Sequence, residues 1–245
     1  MTSLACLQTL PMLARTLDRY FARQDQACAS LAQWLRLQAH PMQIHTLIQD
    51  LLRSPQRMSE VAAHSYQHGN GFLKVVLINR GYKLRLHIWF PGSSCEENLH
   101  DHRWSFASTI LTGTLYSEIW RDAQPEEPAD LLTPEYTYYA ATGDLPADKK
   151  LLGQCRLIRE GQIAHTAGSA YHLPEQVLHR ILNPGDELVA TLMCTAPTQQ
   201  GTTRLIPLQA GMDPEVQPPR ITPQQLHHAL QNFLHLYLQE QRHDF

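Results

Sequence analysis

The chain has 245 residues, of which 43% are hydrophobic, and this is enough for one substantial core in a folded protein. Its formal net charge is −3, and acidic and basic side chains are interspersed, so the sequence offers no basic block for binding nucleic acid. The longest apolar runs, such as VVLI at 75–78, are too short to cross a membrane.

Two regions have the apolar spacing of α-helices, residues 1–60 and residues 222–241. Pro41 separates two helices within the first region. Thr222 followed by Pro223 predicts the start of the C-terminal helix, with the threonine as its N-cap. We expect both regions to pack their apolar faces on the rest of the chain, so that 1–245 is a single domain. The alternative is a separate N-terminal helical domain.

Residues 70–210 change to the two-residue period of β-strands. In KLRLHIWF at 83–90, leucine and isoleucine alternate with Arg85, His87 and Trp89, which share the other face. Many short strands at this spacing predict an antiparallel barrel or sandwich, and we interpret the acidic, proline-rich segment 121–135 as a surface loop. Other strand-like runs lie at 72–78, 104–111, 114–120, 136–142, 155–160, 176–182 and 188–196.

The stretch ENLHDHRWSF at 97–106 contains two histidines that are one residue apart. On a strand, His100 and His102 point to one side and Asp101 points away, either hydrogen-bonded outside or orienting a histidine. A metal site needs a further ligand, and the best candidate is His179. The three side chains therefore predict a divalent-metal site; the alternative is that they are ordinary barrel histidines.

These stretches resemble the two paired motifs of the cupin family over about residues 70–197. The resemblance implies a mainly β fold, a cupin-type antiparallel β-barrel or jelly roll with N-terminal and C-terminal helices. Gln176 departs from the second motif, which has glycine there, and the family's glutamate ligand would fall at Phe106 or Ala107. The matching residues are Gly92, His100, His102 and Gly113, then Gly168, Pro174, His179 and Asn183.

Cysteine dioxygenase-type cupins also lack that glutamate and use three histidines. The segments 68–78, 90–115 and 179–192 resemble theirs, including the Gly-Asn-Gly lead-in and the His-Asp-His core. The resemblance implies an Fe(II) site that uses dioxygen. Their tyrosine and substrate-binding arginine would map near Thr195 and Ala63, so cysteine is not carried over as the substrate.

Three neutral ligands leave a divalent ion with its full charge and with open coordination positions, which suits a small anionic substrate such as a thiol. We expect a non-haem Fe(II) dioxygenase, with no catalytic side chain assigned. The alternatives are a non-redox isomerase or lyase that uses Zn²⁺, Ni²⁺ or Mn²⁺, and a non-catalytic small-molecule-binding cupin.

Strand parity and position suggest further contacts in the pocket. The candidates for its wall are His87, Trp89, Trp104, Phe106 and His172, and those for an anion contact are Arg85 and Arg103; core packing or surface exposure is the alternative for each. A register shift could turn Glu118 inward, although an outward position is the simpler interpretation.

The surroundings of the protein are also predicted from simple features. No secretion signal is recognisable at the N-terminus. Five scattered cysteines without a CxxC pair favour reduced thiols, so we expect a cytoplasmic location. The N-terminal helices are expected to form a lid or the surface of a homodimer, and neither nucleic acid nor membrane is expected as a partner.

Overall fold

The computed structural model describes residues 7–23, 28–139, 148–198, 201–208 and 220–243. Residues 1–6 and 24–27 of the predicted helical region, 140–142 of a predicted strand and 209–210 of the predicted barrel lie outside the described residues. The helices are α1 (Leu10–Phe21), α2 (Cys28–Gln38), α3 (Pro41–Leu52), α4 (Pro55–Ala62) and α5 (Pro223–His243). None of the helices in the described ranges is long and apolar enough to span a bilayer.

The C-terminal helix begins as its sequence predicts. The Gln225 N–H donates to Thr222 Oγ1 at 3.2 Å, and the Thr222 N–H donates to Gln225 Oε1 at 2.9 Å. This reciprocal pair is a capping box, which satisfies two donors that the first turn would otherwise leave free.

The strands fall into two antiparallel sheets. The first has the order β1-β2-β3-β12-β6-β10, and the second has the order β4-β11-β5-β13-β8-β9-β7. Because β7 also pairs with β11, the second sheet curls round and closes on itself. The strands are β1 (Tyr66–Gln67), β2 (Leu73–Asn79), β3 (Lys83–Trp89), β4 (Cys95–Glu96), β5 (Leu99–His100), β6 (Phe106–Thr112), β7 (Thr114–Asp122), β8 (Leu131–Tyr139), β9 (Asp148–Thr166), β10 (Ala170–Leu173), β11 (Leu178–Asn183), β12 (Val189–Thr195) and β13 (Thr202–Ile206).

The central strands of the first sheet are buried on both faces, as β3 illustrates. Leu84, Leu86 and Ile88 belong to a continuous core cluster that also contains residues of all five helices. Arg85, His87 and Trp89, on the opposite face, line a cavity between the two sheets. The predicted alternation of β3 is confirmed, and so is the predicted mainly β fold with helices at both ends. The single-domain organisation stays a prediction.

The interpretation of 121–135 as a loop is wrong at both ends. Strand β7 continues to Asp122 and β8 begins at Leu131, so only 123–130 connects them. Pairing with the long strand β9 outweighs the local preference of proline for loops. Pro134 is tolerated because this part of β8 has a strand on one side only, β13 pairing further along.

Gly113 joins β6 to β7 and matches a glycine of the first motif. Its φ is +70°, and an added Cβ would overlap the carbonyl oxygen of Leu188. Only glycine has both the backbone freedom and the space for this turn. The turn fixes the direction in which the chain passes from β6 in the first sheet to β7 in the second sheet.

Candidate metal centre

The three histidines come from two paired segments of the second sheet. His100 is the last residue of β5 and lies directly opposite His179 of β11 in the antiparallel register. His102 follows two residues later, where the chain is no longer a strand. The regular strand through residue 106 that the parity argument assumed is therefore absent, yet His102 still turns towards the other two rings.

The imidazole rings converge on one point. The ring centroids are 4.7 Å apart for His100 and His179, and 4.9 Å apart for each of the two pairs that contain His102. One nitrogen from each ring lies within 4.8 Å of the others. Three nitrogens that bind one ion at about 2.0–2.1 Å in tetrahedral geometry lie about 3.4 Å from one another, so the rings must turn inward to coordinate an ion.

Backbone carbonyls orient two of the rings. His100 Nδ1 lies 2.9 Å from the Asn98 carbonyl oxygen, and His179 Nδ1 lies 2.9 Å from that of Val177. A carbonyl only accepts, so each Nδ1 carries a proton, and in the neutral tautomer Nε2 is the nitrogen left for a metal. Burial lowers the pKa of His179 to about 3 and that of His102 well below its ordinary value. Neutral imidazole is the form that binds a metal, so the residues fit a divalent ion.

Aromatic packing positions the third ring. His102 stacks on Trp104 with centroids 5.5 Å apart and planes 11° apart, and it meets Phe106 edge-on at 5.2 Å. These contacts hold the His102 ring in place outside the regular strand. Two of the predicted wall residues thus also support a ligand of the cluster.

The histidines open into a cavity of about 680 Å³ between the two sheets. Of the predicted contacts, six line it: Arg85, His87, Trp89, Arg103, Trp104 and Phe106. His172 does not, because its side chain is exposed on the other face of β10. Tyr171 lines the cavity in its place, since it lies opposite Ser108, which also faces the cavity. Position near the motif suggested His172, and the alternation of β10 overrides that suggestion.

Asp101 lies at the cavity wall, but its carboxylate is hydrogen-bonded to β13. Its Oδ1 accepts a hydrogen bond of 2.7 Å from the backbone N–H of Arg204, and its side chain is buried. Burial raises the pKa of this carboxyl, against the lowering effect of that bond. Asp101 therefore connects the histidine loop to β13 and is not an orienting partner of a ligand ring.

Glu97 is a carboxylate at the cavity that the sequence pattern does not predict. It is 7% exposed, and its Oε2 lies 4.0 Å from His100 Nε2. Asn70 Nδ2 donates to its Oε1 at 2.8 Å, and the Ile181 N–H donates to its Oε2 at 3.2 Å. Strand parity places Glu97 and His100 on opposite faces, but the break between β4 and β5 turns both towards the cavity.

Glu118 lies on the face of the second sheet that points away from the cavity. Its oxygens accept hydrogen bonds from Arg180 Nε at 2.6 Å, Arg159 Nη1 at 3.0 Å and Trp120 Nε1 at 3.1 Å. Burial raises its pKa, but these hydrogen bonds outweigh burial, and the pKa is lowered overall. The register shift that would turn Glu118 towards the histidines is not observed.

No protein-family model matches the sequence, and no curated protein matches it. Several solved structures are similar to part of this chain. A cupin domain from Bordetella pertussis Tohama I is 20% identical over 51% of this chain and 92% of its own, with a TM-score of 0.28. The cupin domain of Schizosaccharomyces pombe Cnp3 is 10% identical over 51% of this chain and 61% of its own, with a TM-score of 0.31.

A third similar structure is hydroquinone 1,2-dioxygenase from Sphingomonas sp. TTNP3, 12% identical over 50% of this chain and 64% of its own, with a TM-score of 0.31. The chain thus spans less than two thirds of two of these three proteins. Similarity at this level says nothing about activity. The class of site is defined by the chain's own residues: three converging histidines, in an antiparallel β-barrel, that could bind a divalent metal.

Proposed function

We propose that this protein is a non-haem Fe(II) dioxygenase acting on a small anionic substrate, with His100, His102 and His179 as the metal ligands. The observation that carries the proposal is the convergence of three imidazoles, two of them with Nδ1 hydrogen-bonded to a backbone carbonyl, at the wall of the cavity between the two sheets. Bound iron would supply dioxygen chemistry at an anionic substrate atom beside it.

The residues around the histidines suit such a substrate. Four cationic side chains line the cavity, Lys74, Lys83, Arg85 and Arg103, against the two carboxylates Glu97 and Asp101. This excess of positive charge attracts an anion. Glu97 has two neutral donors and lies near His100, where it can accept a proton or a hydrogen bond from a substrate group.

Glu97 also supports a second candidate function. A buried carboxylate beside a divalent ion is the arrangement that a non-redox isomerase or lyase uses to remove a proton from a polarised substrate. In that reaction Zn²⁺, Ni²⁺ or Mn²⁺ replaces iron. The two candidates differ in whether dioxygen is consumed.

The test loads the purified protein anaerobically with Fe²⁺, Zn²⁺, Ni²⁺ or Mn²⁺ and measures the bound metal. Oxygen uptake is then followed with a panel of small thiols and β-dicarbonyl compounds. Uptake that needs iron and is lost in His179→Ala, but not in the exposed control His172→Ala, supports the dioxygenase. Bound metal without oxygen uptake, together with isomerase or lyase turnover, supports the second candidate. If none of the four metals binds, both proposals are wrong.

A further inference from the structure

One end of the cavity contains a buried cation without an anion. Arg85 is 8% exposed, and its Nε has no hydrogen-bond partner. Within the part of the chain that the structure describes, no carboxylate lies within ion-pair distance of it. A buried guanidinium is costly unless an anion pairs with it, so this position is incomplete without a ligand.

Trp104 connects this arginine to the histidines. The Arg85 guanidinium carbon lies 5.3 Å from the centroid of the Trp104 ring, and the same ring stacks on His102. The cation–π contact holds the planar guanidinium in one orientation. The Trp104 ring therefore contacts both Arg85 and His102, and it connects the unpaired cation to the metal centre by direct packing.

Three further polar atoms in the same cavity lack partners. Trp104 Nε1, His87 Nε2 and Trp89 Nε1 are buried without a hydrogen bond, and His87 and Trp89 share the cavity face of β3 with Arg85. Buried polar groups in folded proteins are nearly always hydrogen-bonded. Four unsatisfied groups in one cavity indicate the place of an absent polar ligand group.

The other residues of the cavity wall indicate what kind of molecule contains that polar group. The cavity has a volume of about 680 Å³. Seven aromatic side chains line it: Tyr66, Phe72, Trp89, Trp104, Phe106, Tyr138 and Tyr171. Cavities of this size typically hold ligands larger than a free amino acid or a simple thiol. Aromatic walls stack well with a planar ring.

We propose that the Arg85–Trp104 end of the cavity binds the carboxylate of an aryl or arylalkyl carboxylic acid. A carboxylate matches the planar guanidinium, which can donate two parallel hydrogen bonds to it. The aromatic body lies between the cavity walls, and the other end of the molecule reaches His100, His102 and His179. The substrate class rests on the proposed function, but binding of the acid at Arg85 does not require the metal.

The test titrates metal-free protein with benzoate, 3-phenylpropionate and indole-3-acetate, and with the neutral amide of each. Calorimetry and quenching of tryptophan fluorescence measure binding. At least one acid should bind about tenfold or more tightly than its amide, since only the acid neutralises Arg85. Phenyl phosphate and acetate are run beside them. Equal binding of each acid and its amide, or no binding of any acid, overturns the proposal.

Variants then locate the subsite. Arg85→Met should weaken binding of the acid by about tenfold or more, and Arg85→Lys should restore part of it. The exposed arginine variant Arg57→Met is the matched control and should bind like the wild type. If Arg85→Met does not fold, Trp104→Phe replaces it; this variant loses the unpartnered indole N–H and should bind the acid more weakly. Unchanged affinity in the Arg85 or Trp104 variants, or tighter binding of phenyl phosphate than of every acid, overturns the proposal.

The failure of this subsite can be told apart from the failure of the metal centre. His179→Ala should lose metal but still prefer the acid over its amide. Arg85→Met should keep full metal while losing that preference. If His179→Ala keeps its metal, the proposed function is wrong and the subsite stands. If Arg85→Met still prefers the acid, the subsite is wrong and the metal centre stands.

Discussion

A glutamate is buried on each face of the second sheet. The hydrogen-bond donors to one include charged arginines, whereas the donors to the other are neutral. On the face away from the cavity, Glu118 accepts hydrogen bonds from two arginines and an indole N–H. On the cavity face, Glu97 accepts only from an amide side chain and a backbone N–H. Adjacent residues of β11 separate the two environments, because Arg180 points to one face and His179 to the other.

The difference separates a structural carboxylate from one available for chemistry. The charge of Glu118 is neutralised by Arg180 and Arg159, so it holds β7, β9 and β11 together. The charge of Glu97 has no arginine or lysine in ion-pair distance within the described ranges, and the nearest ring is His100. A carboxylate that is held by neutral donors beside open space keeps its charge for a metal, a proton or a substrate.

The largest effect is expected from a substitution that removes one metal ligand from the cavity face. His179→Ala deletes one of three imidazoles, and two remaining ligands should hold a divalent ion at least about 100-fold more weakly. The barrel should stay folded, because His179 packs into the cavity and not into the helix-side core. Metal content and affinity are measured by mass spectrometry and chelator competition, and folding by circular dichroism.

The control for this variant is His172→Ala on β10. His172 is exposed and outside the cavity lining, so its removal should leave metal content and affinity unchanged. Full metal content in His179→Ala would contradict the assignment of the ligand set. Metal loss in both variants would mean that the effect of His179→Ala is not specific to the metal centre.

On the far face, Glu118→Gln should affect stability and not metal. The variant leaves Arg180, with its side chain 17% exposed, without its main counter-charge, while the side chain of Arg159 is 51% exposed and can be solvated. We expect a loss of about 2–3 kcal/mol in the free energy of unfolding, below the range for a fully buried pair. Urea unfolding measures it, and Glu160→Gln, in an exposed pair with Arg121, is the control with a change of at most about 0.5 kcal/mol.

The pH dependence of this loss has a definite sign. Because the pKa of Glu118 is lowered in the folded state, its ionised form stabilises the fold above its ordinary value of 4.5. That stabilisation is lost as the pH falls through the folded-state pKa, so the difference between the wild type and Glu118→Gln should shrink below about pH 4.5. A difference that grows on acidification, or metal loss in Glu118→Gln at neutral pH, would contradict the structural role.

The histidine cluster could be predicted because its determinants are local. The spacing of His100 and His102 is read directly, and His179 follows from a second motif whose strand pairs with the first. The faces of β3 were predicted for the same reason, since a regular strand alternates and Leu84 and Arg85 must point to opposite sides. The alternation of side chains that the sequence predicts is observed wherever the strand is unbroken.

Glu97 could not be predicted because its position depends on an irregularity. The chain leaves β4 after Glu96 and enters β5 at Leu99, and the break reverses the parity on which the sequence argument relied. The extent of β7 and β8 was missed for a related reason. Pairing with β9 is a long-range interaction, and proline in the intervening segment gives the opposite local signal.

A smaller effect is expected from neutralising the carboxylate on the cavity face. Glu97→Gln keeps the size of the side chain but removes a negative charge 4.0 Å from His100 Nε2. Metal should still bind, with affinity reduced by about tenfold, because Glu97 acts near the ligands without being one of the three. Calorimetric or chelator-competition titration measures the change. Glu96→Gln, at a side chain 63% exposed, is the control and should change little. Complete metal loss in Glu97→Gln would make Glu97 a fourth ligand.

The smallest expected effect concerns the turn that precedes β11, the strand that contains His179 and Arg180. Gln176 has φ +67°, a left-handed conformation that costs a residue with a Cβ about 1 kcal/mol, and it stands where the second cupin motif has glycine. Gln176→Gly should relieve this strain and stabilise the protein by about 0.5 kcal/mol, after the entropy that glycine adds to the unfolded chain. The control is Gln176→Ala, which keeps the Cβ and should not stabilise. Both are measured by thermal unfolding, with metal content determined in parallel.

Metal content should not change in either variant, because the turn already places His179 in the cavity and Arg180 beside Glu118. A destabilised Gln176→Gly would show that the glutamine side chain holds the turn, and that the departure from the motif is compensated at this position.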